Sequence, residues 1–281
     1  MNDTTTYSSC LAFPLAGFFC LFFIAPVVLL FVVSAYSDVE MTVLGPRQYM
    51  FFFSDQFSLA VLARTLLVGT EVSLFCMVLG YPIAWLFVRT PRRLQSALML
   101  LLLLPLLTSV VVRTFSWIVI LGRQGLVNTF LLQLGLIDAP LRLLYSEGGL
   151  VVALGQVHMP MMVLPLITTL SRINPSLAEA STALGAGYWR TFFRVTLPLS
   201  IPGLLAGCML TFATSSTAMI TQSLIGGGQK LLMPLYIYQQ ALSSLNWPFA
   251  AALSVIFLAS VLLVFAAFKI VARSTHRYEQ V

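Results

Sequence analysis

The fold class this sequence predicts is an all-α integral membrane protein with six transmembrane helices, and three observations predict it. Of 281 residues, 59% are hydrophobic and 9% charged, with a mean hydropathy of +0.96. A water-soluble chain of that composition would expose far more contiguous apolar surface than soluble proteins carry. Apolar runs near residues 11–36, 64–88, 96–121, 149–170, 199–221 and 249–271 each approach the ~20 residues needed to cross a hydrocarbon core. Backbone in hydrocarbon must satisfy its own hydrogen bonds, so such runs are helices. Finally, cations gather in alternate connecting segments, as they do in multi-pass proteins.

The first run follows Met1–Cys10, which holds Asp3 but no Lys or Arg. With an apolar stretch too long for a signal peptide, it is expected to stay as a span. The second run starts at Arg64, holds Glu71 and Pro82, and ends at Arg89, Arg92 and Arg93. The third carries Pro105 and Arg113, the fourth His158, Pro160 and Pro165. Prolines there remove helix hydrogen bonds and provide either hinges or fixed kinks. Between them, the Gly-punctuated segment 122–148 is expected to form short helices on the outer surface. The fifth run is rich in hydroxyls, from Thr211 to Thr221, and the sixth ends in Lys269, Arg273 and Arg277. Connecting segments of roughly 25–30 residues are too short for an independent core. A single transmembrane domain over 1–281 is expected, with an N-terminal span and external loop at 1–58, a core at 59–275 and a tail at 276–281.

Arg89, Arg92, Arg93, Arg172, Arg190, Arg194, Lys269, Arg273 and Arg277 fall on one side of this topology. The other side mixes Arg47, Arg123, Arg142 and Lys230 with Asp38, Glu40, Asp55, Asp138 and Glu147. The positive-inside rule makes the first side cytoplasmic, with both termini inside. The net charge of +6 therefore reports membrane topology and not nucleic-acid binding.

The segment 174–203 is the most informative. Asn174 and Pro175 read as an N-cap and first helical residue, and Gly185 and Gly187 as its termination. Helical spacing puts Leu177, Ala180, Ser181 and Leu184 on one face, with Glu179 and Ala183 elsewhere. A second short helix should carry Trp189, Phe192 and Phe193 opposite Arg190 and Arg194, closed by Leu197-Pro198.

Glu179-Ala180-Ser181, Gly185 and Leu197-Pro198 stand at the spacing of the EAA signature of ABC importer permeases, with Ser181 replacing the second alanine. The segment resembles that family's cytoplasmic coupling helix. Gly80-Tyr81-Pro82 resembles the opening of the family's permease core, and Val110 to Trp117, Gly122, Gly125 to Asn128, and Gly226-Gly227-Gly228 are similar to its spermidine/putrescine-type branch. The resemblance covers roughly residues 60–270. It implies a type I importer permease fold for an all-α chain of six spans, with the coupling helix between the fourth and fifth. It also implies a translocation role for a small solute, of polyamine type, delivered by a periplasmic or extracellular solute-binding protein. A second homologous or identical permease and an ATP-binding cassette ATPase dimer complete the implied assembly in the bacterial inner membrane. ATP and Mg belong to that ATPase, and this chain binds no cofactor. Coupling to the ATPase falls on Glu179, Ala180, Gly185, Arg190, Leu197 and Pro198.

Charges inside a membrane are costly and normally face a bundle interior or water. Glu71 either meets a cationic solute or pairs with Arg113 or Arg64. His158 is a packing histidine, a proton relay or a ligand contact. Trp117 offers a face to an ammonium or simply packs. Thr214, Ser215 and Thr217 either line a wet pathway or bond back to their own helix. The sequence offers no enzyme constellation and no metal ligand set: Gly226 to Lys230 lacks Walker spacing, and the four cysteines form no Cys-x-x-Cys pair. The alternative is a gradient-driven transporter using Glu71 or His158, against which stands the lack of a paired set of broken spans. For the importer, another amine, an aminophosphonate or an opine is the alternative solute.

Overall fold

The computed structural model describes Pro14, residues 17–227 and residues 231–276, with side chains through Ile270. Readings that involve Met1–Cys10, Gly228, Lys230, the tail from residue 277 and the side chain of Arg273 lie outside the described residues.

In chain order the helices are α1 (Ala25–Ser34), preceded by a π-helical turn at Cys20–Ile24; α2 (Arg47–Ser54); α3 (Gln56–Arg89); α4 (Arg92–Leu107); and α5 (Val110–Leu121). There follow α6 (Leu126–Gln133), α7 (Glu147–Leu170), α8 (Pro175–Ala183), α9 (Tyr188–Thr191) with a π-turn at Phe192–Thr196, and α10 (Leu197–Ser216). The last are α11 (Met219–Ile225), α12 (Met233–Tyr238) with a π-turn at Gln239–Ser243, and α13 (Trp247–His276). Six stretches among the described residues are long and apolar enough to span: Gly17–Ser34, Gln56–Arg89, Val110–Gln133, Glu147–Leu170, Tyr188–Ser216 and Trp247–Ile270.

Three boundaries differ from the sequence reading. The second span starts at Gln56 instead of near 64. The third is not one helix over 96–121: it breaks at Thr108, which is extended, and Ser109, which is also non-helical. Pro105 weakens that last turn by removing a backbone donor. The fifth begins at Tyr188 and stops at Ser216, so Thr217 is its C-cap and Thr221 lies on α11. The helix breaks at 108–109 and 217–218 thus lie just before the span that starts at Val110 and just after the one that ends at Ser216.

The chain divides into two compact units. The first holds residues up to Ala60 together with Tyr236–Ser260. In it, Asp55 caps α3 by accepting from the Ser58 hydroxyl at 2.6 Å and the Ser58 amide at 2.9 Å, bonds that hold its carboxyl below the usual range. The Ser58 hydroxyl also shares a hydrogen bond with the Tyr236 hydroxyl at 3.0 Å. Phe51, Tyr236 and Phe249 meet edge to face. Between α1 and α2, a single antiparallel bridge joins Tyr36 and Leu44. Asp38 closes the turn beneath it, accepting from the Thr42 hydroxyl at 2.7 Å and the Val43 amide at 2.8 Å.

The second unit, Val61–Leu235 with Val261 onward, is built on α7 and α10. Lipid tails are as apolar as leucine, so close backbone approach, and not hydrophobicity, joins such helices. Gly203 and Gly207 supply it. A Cβ at Gly207 would lie 2.7 Å from Met162 Sδ and 2.9 Å from the Met162 carbonyl; one at Gly203 would lie 2.8 Å from the Pro165 carbonyl. Around this seam Val68, Val72 and Cys76 of α3 pack with Leu154, Met162 and Leu166 of α7. Ser73 donates to the Cys208 carbonyl at 2.8 Å, so α3 is pinned as well as packed.

Candidate coupling face and translocation pathway

The signature segment is held by hydrogen bonds at both ends. Asn174 Oδ1 accepts from the Ser176 amide at 3.1 Å, and Pro175 occupies the first turn, as the sequence predicts. At the far end Gly185 has φ +83°. The Gly185 amide reaches the Thr182 carbonyl at 2.9 Å and the Ala186 amide the Ser181 carbonyl at 3.1 Å, the paired bonds of a Schellman motif. Gly187 has an ordinary extended backbone with φ −69°, so it is not a second terminator: any residue adopts that conformation.

Of the four residues that spacing puts on one face of α8, only Ser181 is half-buried. Leu177 is 46% and Leu184 89% exposed, and Ala180 is exposed, while Ala178 and Ser181 are half-buried. The half-buried Ser181 hydroxyl shares a 3.0 Å hydrogen bond with the Thr191 hydroxyl. The one departure from the signature thereby becomes its brace, since alanine has nothing to bond. Leu197-Pro198 does not close the second helix either. The chain runs from Tyr188 into α10 through the π-turn, where the Leu197 amide bonds the Phe192 carbonyl. The wider turn lets a proline follow without interrupting the helix.

Beneath α8 lies a cleft of about 240 Å³ whose walls include Trp85, Arg89, Glu179, Tyr188 and Thr191. The Arg89 guanidinium sits 3.8 Å above the Trp85 ring. Trp85 meets Tyr188 edge-on, Tyr81 meets Phe192 likewise, and the Tyr81 hydroxyl shares a 3.0 Å bond with Ser200. This clasp onto α3 is absent from the sequence reading. Its signal is the i, i+4 spacing of Tyr81, Trp85 and Arg89, which puts all three on one helix face. Arg190 projects away, exposed.

Inside the spans the predicted residues do not converge. Arg64 pairs with Glu147 at 3.9 Å, and Arg113 donates through Nη1 to the Pro105 carbonyl. Neither pairs with Glu71, which is half-buried on α3. Arg113 is a cation at the C-terminal end of α4, where orphan carbonyls need donors and the helix dipole is negative; the Thr108 hydroxyl reaches the same carbonyl at 2.9 Å. Trp117 Nε1 donates to Gln156 Oε1 at 3.4 Å. His158 Nε2 is buried with no hydrogen-bond partner, as are Arg113 Nε and Gln222 Oε1. Thr214, Ser215 and Thr217 bond back to carbonyls of α10, at 2.8 Å to Leu210, 3.2 Å to Phe212 and 3.0 Å to Ala213.

The profile of binding-protein-dependent transport system inner membrane components matches residues 73–277. The spermidine/putrescine transport system permease protein PotB of Salmonella typhimurium (strain SL1344) is 34% identical over 201 residues, 72% of this chain and 70% of that protein. PotB of Escherichia coli (strain K12) is also 34% identical over 201 residues, with 72% and 73% covered. The crystal structure of a bacterial alginate ABC transporter in complex with an alginate pentasaccharide-bound periplasmic protein shares the fold, with a TM-score of 0.77 at 18% identity over 97% of this chain and 95% of that one. With helices long enough to span and a signature helix capped as its spacing predicts, the chain belongs to the binding-protein-dependent transport system inner membrane components, the permease subunits of ABC importers.

Proposed function

We propose that this multi-pass inner membrane protein forms part of the translocation pathway of an ATP-driven importer for a polyamine of the spermidine/putrescine kind. The observation that carries the reading is α8: capped at both ends, braced through Ser181, and presenting Leu177 and Leu184 outward, with Glu179 at the edge of the cleft beneath it. A helix so fixed at its base and open on its outer face suits docking into an ATPase groove. Arg190 adds an outward cation, Gly185 aims the helix, and Leu197-Pro198 carries its motion into α10. The cation-rich segments then face the cytoplasm with both termini, and a second permease subunit and a solute-binding protein complete the pathway. The identity to PotB supports the polyamine. Glu71, half-buried and paired with neither Arg64 nor Arg113, is the carboxylate we assign to its ammonium groups.

The test is uptake of labelled spermidine into proteoliposomes containing the chain with its co-purifying ATPase, second permease and binding protein. ATP-dependent uptake, with putrescine competing, is the expected outcome. Uptake that ignores ATP but follows an ion gradient overturns the importer reading. ATP-driven transport that excludes polyamines overturns only the solute.

A further inference from the structure

A long groove follows one face of α4, away from the coupling face. Arg92, Gln95, Ser96, Met99, Leu103 and Leu107 line it at steps of three and four, which is a single helix face. Phe87 of α3 closes the far side, and the volume is about 680 Å³. We propose that this groove binds an anionic phospholipid, with an acyl chain along α4 and the phosphate against Arg92.

Three features argue for that occupant. Arg92 to Leu107 rises about 22 Å along the helix, more than the ~15 Å depth of one leaflet's hydrocarbon, so a whole acyl chain fits. Polarity is confined to one end. There Gln95 donates to the Phe87 carbonyl at 3.1 Å and the Thr90 carbonyl at 3.0 Å, fixing the mouth where α3 turns into α4. Arg92 is exposed, and its guanidinium has no ion pair among the described residues. No residue of α4 is buried, so the trough is open to an occupant.

A second copy of the chain is a poorer fit. The cation-rich connecting segments hold one acid, Glu179, among the described residues, and so offer Arg92 more repulsion than attraction. A lipid phosphate supplies the missing anion, as basic pockets beside membrane helices use it. The inference rests on the chain spanning a membrane, and on neither its solute nor its ATPase.

The experiment is native mass spectrometry of the full chain from mild detergent, offered equimolar phosphatidylglycerol and phosphatidylcholine with the same acyl chains. Phosphatidylglycerol should be retained about fivefold over phosphatidylcholine, the advantage one cation gives at an anionic surface. Arg92→Ala should bring that ratio to about one, while Arg93→Ala, outside the groove, leaves it. Leu103→Trp should reduce retention of both lipids. Should that variant misfold, Leu107→Trp fills the same trough from a position 83% exposed. A wild-type ratio near one overturns the proposal, as does equal loss in Arg92→Ala and Arg93→Ala, which would mean diffuse surface charge. Unchanged retention in the filled variants places the lipid elsewhere. If filling the groove instead breaks an oligomer, the face is a subunit interface and the proposal fails.

Discussion

The α7–α10 seam and the signature helix α8 lie in one compact unit, yet they are held by opposite means. In the seam, Gly203 and Gly207 bring backbone against Met162 and Pro165, leaving no room for a methyl group. In α8, no residue is buried; an N-cap, a Schellman turn and one hydroxyl pair fix it. A Cβ at Gly185 would meet nothing within 4 Å, so its glycine is required by conformation alone. The contrast separates two ways of holding a helix: packing makes the bundle, while hydrogen bonds hold α8 as an exposed handle on its surface. Because the handle adds little buried area, damage to it should leave the bundle standing.

The sharpest way to break this comparison is to overfill the seam. Gly207→Leu forces a side chain against the Met162 backbone, which cannot yield as a flexible side-chain tip can. Overpacking costs about 1–3 kcal/mol, and a backbone clash belongs at the upper end. The variant should melt roughly 5 °C or more below wild type, with much of the chain lost as aggregate on size-exclusion chromatography. An unchanged melting point would mean that the two helices have slack and that packing does not hold the seam.

Gly185→Leu makes the opposite prediction. A left-handed backbone costs a side-chain-bearing residue about 1–2 kcal/mol, enough to unwind the last turn of a short exposed helix and misdirect it. Melting should stay close to wild type, because such local openings sit far below the global stability. ATP-driven uptake should fall about tenfold, the factor 1.4 kcal/mol represents, with the basal ATPase rate retained. If melting and uptake fall together, α8 is part of the structural core and the division between handle and bundle is wrong.

How legible this was in the sequence depends on the range of the cause. The caps of α8 were readable because Asn174, Pro175 and Gly185 act on their nearest backbone neighbours. Its inward face was not, because helical periodicity sorts residues by polarity while the cleft below is built by Trp85, Tyr188 and Phe192. Apolar runs located spans, but not the break at Thr108–Ser109: hydropathy averages over the window in which Pro105 and Arg113 rearrange one helix end. The carboxylate–guanidinium pairing allowed for Glu71 failed for the same reason. Arg113 had a nearer demand from the Pro105 carbonyl, and Arg64 found Glu147, more than eighty residues away.

The smallest effect sharpens the comparison at another exposed site. The turn below the Tyr36–Leu44 bridge, like α8, relies on hydrogen bonds, and nearly all converge on Asp38. The Thr42 hydroxyl, then the Thr42 and Val43 amides, lower its carboxyl from 3.8 to about 2. A depressed acid stabilises the turn above its unfolded value and loses that contribution as pH falls through the folded one. Order should therefore persist at pH 4 and disappear as pH approaches 2. Amide shifts of Thr42 and Val43 in the detergent-solubilised chain should titrate with a midpoint near 2, and Asp38→Asn should abolish the titration while leaving the seam's melting unchanged. A midpoint near 3.8 would mean that the carboxylate gains nothing from these bonds. The turn would then owe its shape to the Tyr36–Leu44 bridge, and hydrogen bonds alone would not suffice to hold an exposed element of this protein.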